Sequence, residues 1–164
     1  MNTRPLIFVD LDDTLFQTHR KSKPTPSYKI ATTDKAGEPL SYMVPKQQIF
    51  VNWLLESADV IPVTARSVEA LQRVHIDFKH GAICSHGGTI LDDNKEVDQE
   101  WLVIQQKATV DLEHLLNDLP KALLDYAKPL GSIRTWTVEE NGSKIYTVAK
   151  QNDPEPLFLS KIIH

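Results

Sequence analysis

The sequence predicts an α/β fold in which helices cover a small parallel sheet, followed by a second lobe that mixes helix and strand. Three observations lead to this prediction. Apolar runs alternate with amphipathic segments in the order strand, helix, strand, helix, strand over residues 5–92. The first of these runs is continuous rather than alternating, which is typical of a strand buried on both faces. Beyond residue 92 the pattern changes to a long helical stretch and a hairpin.

The first strand and the segment after it lie near the start of the chain. Residues 5–10 form a short apolar run that ends in a carboxylate-rich loop. The runs "SYKIATT" and "LSYMV" flank "DKAGEP" and predict a β-hairpin flap at about residues 27–45, above the end of the first strand. Pro45 is well placed to begin a helix. We expect the apolar face of this helix to comprise Ile49, Phe50, Trp53 and Leu54.

Two further strands and a second helix complete the predicted core. The run "DVIPVT", residues 59–64, predicts the second parallel strand, although Pro62 removes one ladder hydrogen bond. The run "SVEALQRV" predicts a helix with Ser67 as its N-cap. The run "GAICSHGGTIL" predicts a third strand, a turn at Gly87-Gly88 and a returning strand.

The second lobe follows a charged and loose stretch, "DNKEVDQE". We therefore assign residues 1–95 to the core and residues 96–164 to the second lobe. The long helical segment of this lobe contains Pro120, which predicts a kink or a restart. Two β-rich runs around Asn141-Gly142 predict a hairpin, because this dipeptide favours a tight two-residue turn.

Composition excludes several classes of partner. A net charge of −4 over 164 residues predicts no basic surface for nucleic acid or for an acidic membrane. The apolar runs are far shorter than the ~20 residues of a membrane span, and the N-terminus lacks a signal-like apolar region. Cys84 is the single cysteine, so an internal disulfide is impossible and a cytoplasmic location is expected. The oligomeric state is not indicated.

Three carboxylates directly follow the first strand. In "LIFVDLDDT", Asp10 and Asp12 lie two positions apart in an extended segment, so their side chains leave on the same side. Ligands of parallel sheets bind beyond the carboxyl ends of the strands. Like charges this close oppose each other unless a cation neutralises them, and Mg²⁺ prefers carboxylate oxygens together with substrate phosphate. The pattern predicts a site, although Asp13 or Thr14 taken alone is also typical of a turn cap.

These residues resemble the motifs of a known family. "FVDLDDTLF" resembles the first motif of the haloacid dehalogenase (HAD) superfamily, a hydrophobic strand followed by D-x-D-x-T. "VIPVTARS", a strand that ends in Thr64, resembles the second motif of the same superfamily. "ICSHGGTIL" resembles the segment read as "NGA" in the Cof-like and sucrose-phosphatase-like members, with His86 in the place of Asn. Asp13 stands where this subgroup favours Gly.

The resemblance implies a HAD-like Rossmannoid parallel core with an inserted α+β cap, and a Mg²⁺-dependent phosphatase. Asp10 would be the nucleophile that forms an aspartyl-phosphate. Asp12 would protonate the leaving oxygen and later take a proton from water. Asp10 and the backbone carbonyl of Asp12 would hold the metal. Asp13, Thr64 and Arg66 would contact phosphate or substrate, which we expect to be a small phosphorylated metabolite, sugar phosphates first.

Two parts of the superfamily site have no match in the sequence. These are the lysine that neutralises the phosphate and the acidic pair that usually follows Gly-Asp, a dipeptide absent from the chain. Lys144 and Lys150 fall in the predicted hairpin, and Lys161 falls near the end of the chain. We therefore expect the residues to be the N-terminal part of a longer protein with an incomplete cap. Such a chain would leave one edge of the first strand exposed and would lack full turnover alone.

Two alternative functions remain open at this point. A phosphomutase of the same superfamily would use the same aspartyl-phosphate but return the phosphoryl group to a sugar. A binding or regulatory module would keep the fold without turnover. The absence of the late motifs favours the module, whereas the presence of both Asp10 and Asp12 favours an enzyme.

Overall fold

A computed structural model of the chain describes residues 4–21, 23–129 and 131–151. The chain divides into two compact units, Met1–Leu102 and Val103–His164. Both contain helices and strands, so the fold is mixed α/β. None of the described helices combines the length and apolarity that a membrane crossing requires.

The first unit contains seven strands and two helices among its described residues. In chain order they are β1 (Leu6–Val9), β2 (Gln17–Thr18), β3 (Lys29–Thr33), β4 (Pro39–Met43), α1 (Pro45–Ser57), β5 (Asp59–Pro62), α2 (Val68–Leu71), β6 (Ala82–Cys84) and β7 (Thr89–Leu91). A 3₁₀ turn at Ser85–Gly87 joins β6 to β7. The chain continues into α3 (Gln99–Thr109).

The parallel part of the sheet joins β1 to β5. Ile7 lies opposite Val60, and Val9 lies opposite Pro62. A single parallel bridge, between Val63 and Ile83, extends this arrangement towards β6, which pairs in antiparallel fashion with β7. The predicted succession of strands and helices along the chain is therefore present. The described residues contain only a small parallel sheet. A full Rossmannoid core, which the resemblance implies, is not evident.

The predicted flap is part of a three-stranded antiparallel sheet in the order β2-β4-β3. The outer edge of β3 is also bonded, because Thr33 N donates to Arg73 O (3.2 Å) and His75 N donates to Ala31 O (2.7 Å). On the inner side, Ala31 and Met43 are buried in the main apolar core. The hairpin is thus held against the first unit by buried apolar side chains and by backbone hydrogen bonds along the edge of β3.

Helix α1 differs from its prediction in the face that it buries, and helix α2 differs in its length. Helix α1 begins at Pro45 as predicted, but it buries Val51 and Leu54, whereas Ile49, Phe50 and Trp53 are exposed. The predicted apolar face was therefore wrong for three of its four members. Ser67 does cap α2, since its hydroxyl accepts from Ala70 N (3.1 Å). Helix α2 is shorter than predicted, because the residues after it bond to β3 instead.

The second unit pairs a helix with a hairpin. Most of α3 and a 3₁₀ turn at Val110–Leu112 begin this unit. They are followed by α4 (Glu113–Ala127), β8 (Ile133–Glu140) and β9 (Ser143–Gln151). The hairpin turns at Asn141 and Gly142, whose φ angles of 52° and 75° are those of the predicted tight turn. Pro120 lies inside α4 without ending it.

Candidate functional site

The loops after β1 and β5 meet at one edge of the parallel sheet. Val63 N donates to Val9 O (2.8 Å), so the parallel ladder continues past the end of each strand. Asp10 is the next residue after Val9, and Thr64 is the next after Val63. The structure therefore brings the two predicted motifs to the same strand ends, as the sequence suggested.

The loop after β1 is a tight turn fixed by buried apolar side chains. The amides of Thr14, Leu15 and Phe16 all approach the carbonyl of Leu11, at 3.3, 2.9 and 3.4 Å. Leu11, Leu15 and Phe16 are at most 1% exposed. Asp13 takes a left-handed conformation with φ of 63°, which Asp adopts more readily than most residues. The apolar side chains point inward while the acids of the loop remain exposed.

The three carboxylates of this loop have different partners. Asp10 Oδ2 accepts a hydrogen bond from the Thr14 hydroxyl (2.9 Å). Both oxygens of Asp12 accept from the Arg66 guanidinium, at 2.7 and 2.8 Å. Asp13 pairs with the Lys21 amine. Within the described ranges, Asp10 is thus the one acid of the three without a cationic partner, which leaves its carboxylate the most available for metal or phosphorus.

Thr64 and Arg66 lie on the loop that follows β5. Thr64 is 4% exposed, and its hydroxyl accepts from Arg66 N (3.1 Å). This loop is also bonded to the turn after β6, because Ser85 N donates to Arg66 O (2.8 Å) and His86 N donates to Thr64 O (3.1 Å). All three of the segments that resemble HAD motifs therefore contribute to one connected set of loops.

The donor set is suited to Mg²⁺ but is small. Mg²⁺ usually takes one or two protein carboxylates and completes its shell with water and substrate phosphate. The carboxylate of Asp10 could take this role, and the resemblance assigns the backbone carbonyl of Asp12 to it as well. The carboxylate of Asp12 is engaged by Arg66. Among residues 4–21, 23–129 and 131–151, no group of three or more His, Cys, Asp or Glu side chains is close enough to hold a metal.

Sequence reasoning missed two contributors to this edge. Lys21 reaches the loop through Asp13, and Phe16 lies beneath the guanidinium of Arg66, whose central carbon is 5.4 Å from the ring centroid. The basic run "HRKSK" was the available signal for Lys21.

Of the later lysines, Lys144 bonds to the Asn117 side chain in the second unit. Lys161 lies outside the described residues.

An apolar cavity in the first unit is separate from these residues. It measures about 200 Å³ and lies between α2 and the strands β5, β6 and β7. Lys95 lines it, and burial lowers the pKa of this amine, while Asp93 and its acidic neighbours oppose the change. None of the candidate residues lines this cavity. The cavity lies between the two apolar clusters of the unit, apart from the candidate site.

Comparison with known proteins adds no relative. No protein-family model matches the chain, and no curated protein matches it either. The resemblance to the HAD superfamily therefore rests on the motif residues and on their placement.

Proposed function

We propose that this protein is a Mg²⁺-dependent phosphatase of the HAD type, acting on a small phosphorylated metabolite, with sugar phosphates favoured. One observation carries the proposal. Asp10 and Asp12 leave the end of β1 beside the loop that holds Thr64 and Arg66, and Asp10 alone of the loop acids lacks a cationic partner among the described residues. A nucleophile needs a carboxylate that is not already neutralised.

The proposed chemistry takes the role of each residue from the resemblance to the HAD superfamily. An Asp10 oxygen attacks phosphorus, the bond from phosphorus to the leaving oxygen breaks, and Asp12 delivers a proton to that oxygen. Water then attacks the aspartyl-phosphate, Asp12 accepts its proton, and Asp10 leaves as a carboxylate. Thr64 would donate to a phosphoryl oxygen. Mg²⁺, when bound, supplies positive charge that offsets the repulsion between an anionic attacker and an anionic phosphate.

The finer fold assignment belongs to the same proposal. The pairing of β1 with β5 and the bridge from Val63 to Ile83 are compatible with the start of a HAD-like Rossmannoid core. The helix and hairpin of the second unit are compatible with an inserted α+β cap. We place this protein in the cytoplasm, which agrees with the single cysteine, Cys84, being buried and reduced.

A binding or regulatory module is the second candidate, and two observations favour it. The described acids do not form a three-ligand metal group, and the described lysines Lys144 and Lys150 lie on the hairpin of the second unit. A module of this kind would bind phosphate and Mg²⁺ without transferring a phosphoryl group.

The deciding experiment traps the covalent intermediate. The chain is mixed with Mg²⁺ and p-nitrophenyl phosphate, quenched in acid and tested for hydroxylamine-labile phosphate on the protein. We expect labelling of the natural chain, none of Asp10→Asn, and reduced but detectable labelling of Asp13→Asn, because Asp13 is expected to contact phosphate or substrate but is not the attacking group. Equal labelling of Asp10→Asn would contradict the assigned nucleophile. Mg²⁺ and tungstate binding without any labelling would favour the module.

Product analysis separates a phosphatase from a phosphomutase. A phosphatase releases inorganic phosphate from a sugar phosphate, whereas a mutase returns an isomerised sugar phosphate. We expect inorganic phosphate, released by hydrolysis of the phosphoryl-enzyme in a single-turnover measurement, because full turnover of these residues alone is not expected.

A further inference from the structure

We propose that Arg66 is a positioning residue, which holds the carboxylate of Asp12 for proton transfer rather than binding the phosphate of the substrate. This inference rests on the proposed function and revises the role that the resemblance suggested for Arg66. It assigns the arginine to one step of the reaction, the hydrolysis of the aspartyl-phosphate.

The side chains of Arg66 and Asp12 form a bidentate ion pair, with one hydrogen bond to each carboxylate oxygen. Arg66 Nε lies 2.7 Å from Asp12 Oδ2, and Arg66 Nη2 lies 2.8 Å from Asp12 Oδ1. A planar guanidinium that meets both oxygens of a carboxylate fixes its rotation as well as its position. The pair also joins the loop after β1 to the loop after β5, residues 54 positions apart in the sequence.

Arg66 is itself held before any substrate arrives. Its side chain is only 13% exposed and lies over the ring of Phe16, which is fully buried. Its amide donates to the Thr64 hydroxyl, and its carbonyl accepts from Ser85 N. An arginine fixed at both backbone and side chain can impose an orientation on its partner.

The neighbouring ion pair provides a contrast. Lys21 and Asp13 are 58% and 53% exposed in their side chains. An ion pair this exposed to solvent, made by a flexible amine, contributes little to stability. It also does little to fix the orientation of the Asp13 carboxylate. The same loop therefore carries one acid that is held rigidly and one that is not.

The held orientation is useful for the second half of the reaction. Water attacks phosphorus, the bond to Asp10 breaks, and the proton of the water must reach an ionised Asp12. An ionised carboxylate accepts about four hydrogen bonds, so the two from Arg66 leave an acceptor position on each oxygen. Two of the five N–H donors of Arg66 are engaged by Asp12, so a contact with substrate phosphate would have to use the remaining three.

The test uses p-nitrophenyl phosphate because its leaving group departs without a proton. Formation of the phosphoryl-enzyme is then insensitive to Asp12, whereas its decay is not. In Arg66→Met we expect decay to slow by at least about tenfold, as for loss of general base function. A burst of p-nitrophenolate close to one equivalent should appear, while tungstate affinity changes by less than about threefold. In Arg66→Ala, which leaves room for the ion, added guanidinium should restore part of the decay rate, and Arg66→Lys should be intermediate.

A second arginine provides the matched control. Arg4 donates to Asp59 and to the carbonyls of Leu55 and Ala58, and so connects the opposite ends of β1 and β5. Arg4→Met therefore removes a comparable link between the two strands. We expect it to lower the melting temperature without slowing decay of the phosphoryl-enzyme.

Each other outcome overturns the proposal in a recognisable way. Weaker tungstate binding with unchanged decay would assign Arg66 to the phosphate. Equal effects of Arg66→Met and Arg4→Met, in proportion to lost stability, would make Arg66 merely structural. Absence of any phosphoryl-enzyme in the natural chain would refute the proposed function itself, and the role of Arg66 with it.

Discussion

The acids after β1 show what a sequence does and does not reveal about single residues. The positions of Asp10, Asp12 and Thr64 followed from the pattern, because strand ends in a parallel sheet share an edge. Their partners did not follow from it. The paired hydrogen bonds from Arg66 to Asp12 depend on the conformations of two loops. The contact between Lys21 and Asp13 depends on the left-handed backbone conformation of Asp13. Neither conformation is encoded in a local pattern.

A tyrosine of the second unit gives a pH prediction at the same scale. Burial raises the pKa of Tyr146, and the charge of Glu140 raises it further. The folded state therefore retains a proton that the unfolded state loses near its ordinary pKa of 10.0. Stability from this group is complete below that pH and is lost as pH rises through the folded pKa.

We expect urea unfolding to show this loss directly. Between pH 9 and pH 11, about the range of tyrosine ionisation, the free energy of unfolding should fall more steeply in the natural chain than in Tyr146→Phe. Glu140→Gln should have a smaller effect in the same direction, because its charge is the lesser cause. Parallel slopes for the natural chain and Tyr146→Phe would show that the tyrosine is not responsible.

At the scale of elements, helix α4 accommodates a proline that sequence reasoning expected to kink or restart it. Pro120 has no amide proton, so the carbonyl of Leu116, four residues earlier, loses its helical donor. The hydroxyl of Thr137 on β8 donates to that carbonyl at 3.1 Å. The neighbouring strand thus replaces the missing hydrogen bond, which explains how α4 continues to Ala127. Because the replacement is a tertiary contact, no local pattern could have predicted it.

This arrangement predicts a specific cost for Thr137→Val. The variant leaves the Leu116 carbonyl without a donor and should reduce the free energy of unfolding by about 1 kcal/mol. Thr135→Val is the matched control on the same strand. Its hydroxyl donates to Pro120 O (3.1 Å), a carbonyl that also has a helical donor four residues later. This control should cost less.

Restoring the helical donor should remove the dependence on Thr137. In the background Pro120→Ala, the amide of residue 120 becomes available to Leu116, and Thr137→Val should then cost little. Chemical denaturation of the four combinations measures this coupling. Additive effects of the two substitutions would show that Thr137 does not compensate for the proline.

Two of the element predictions failed for a shared physical reason. Helix α1 was predicted to bury Ile49, Phe50 and Trp53, and α2 was predicted to extend further than Leu71. In both cases periodicity correctly identified a helix. The buried face and the final residue depend on what packs or bonds alongside, such as the edge of β3 that bonds to Arg73 and His75. The strands, whose apolar runs are short and continuous, were located more reliably.

At the scale of the whole molecule, the apolar surface of β1 is divided between two faces. Ile7 and Val9 pack against the core of the first unit. Leu6 and Phe8, which point to the opposite face, are 57% and 58% exposed. The prediction that the first strand is buried on both faces was therefore wrong for this face. Among the described residues β1 pairs with β5 alone, which agrees with the expectation of an exposed edge. Exposed apolar side chains beside an unpaired strand edge favour association with other molecules.

Substitution by serine should therefore have different effects at Phe8 and at Ile7, one on association and the other on the free energy of unfolding. Phe8→Ser removes an exposed apolar side chain, so we expect less concentration-dependent association and a change in unfolding free energy below about 1 kcal/mol. Ile7→Ser places a hydroxyl against the core and should cost about 2 kcal/mol or more, without reducing association. Sedimentation equilibrium and urea denaturation measure the two effects separately. If Phe8→Ser were as costly as Ile7→Ser, Phe8 would be covered in solution, and the face of β1 opposite the core would have to be packed against another part of the protein.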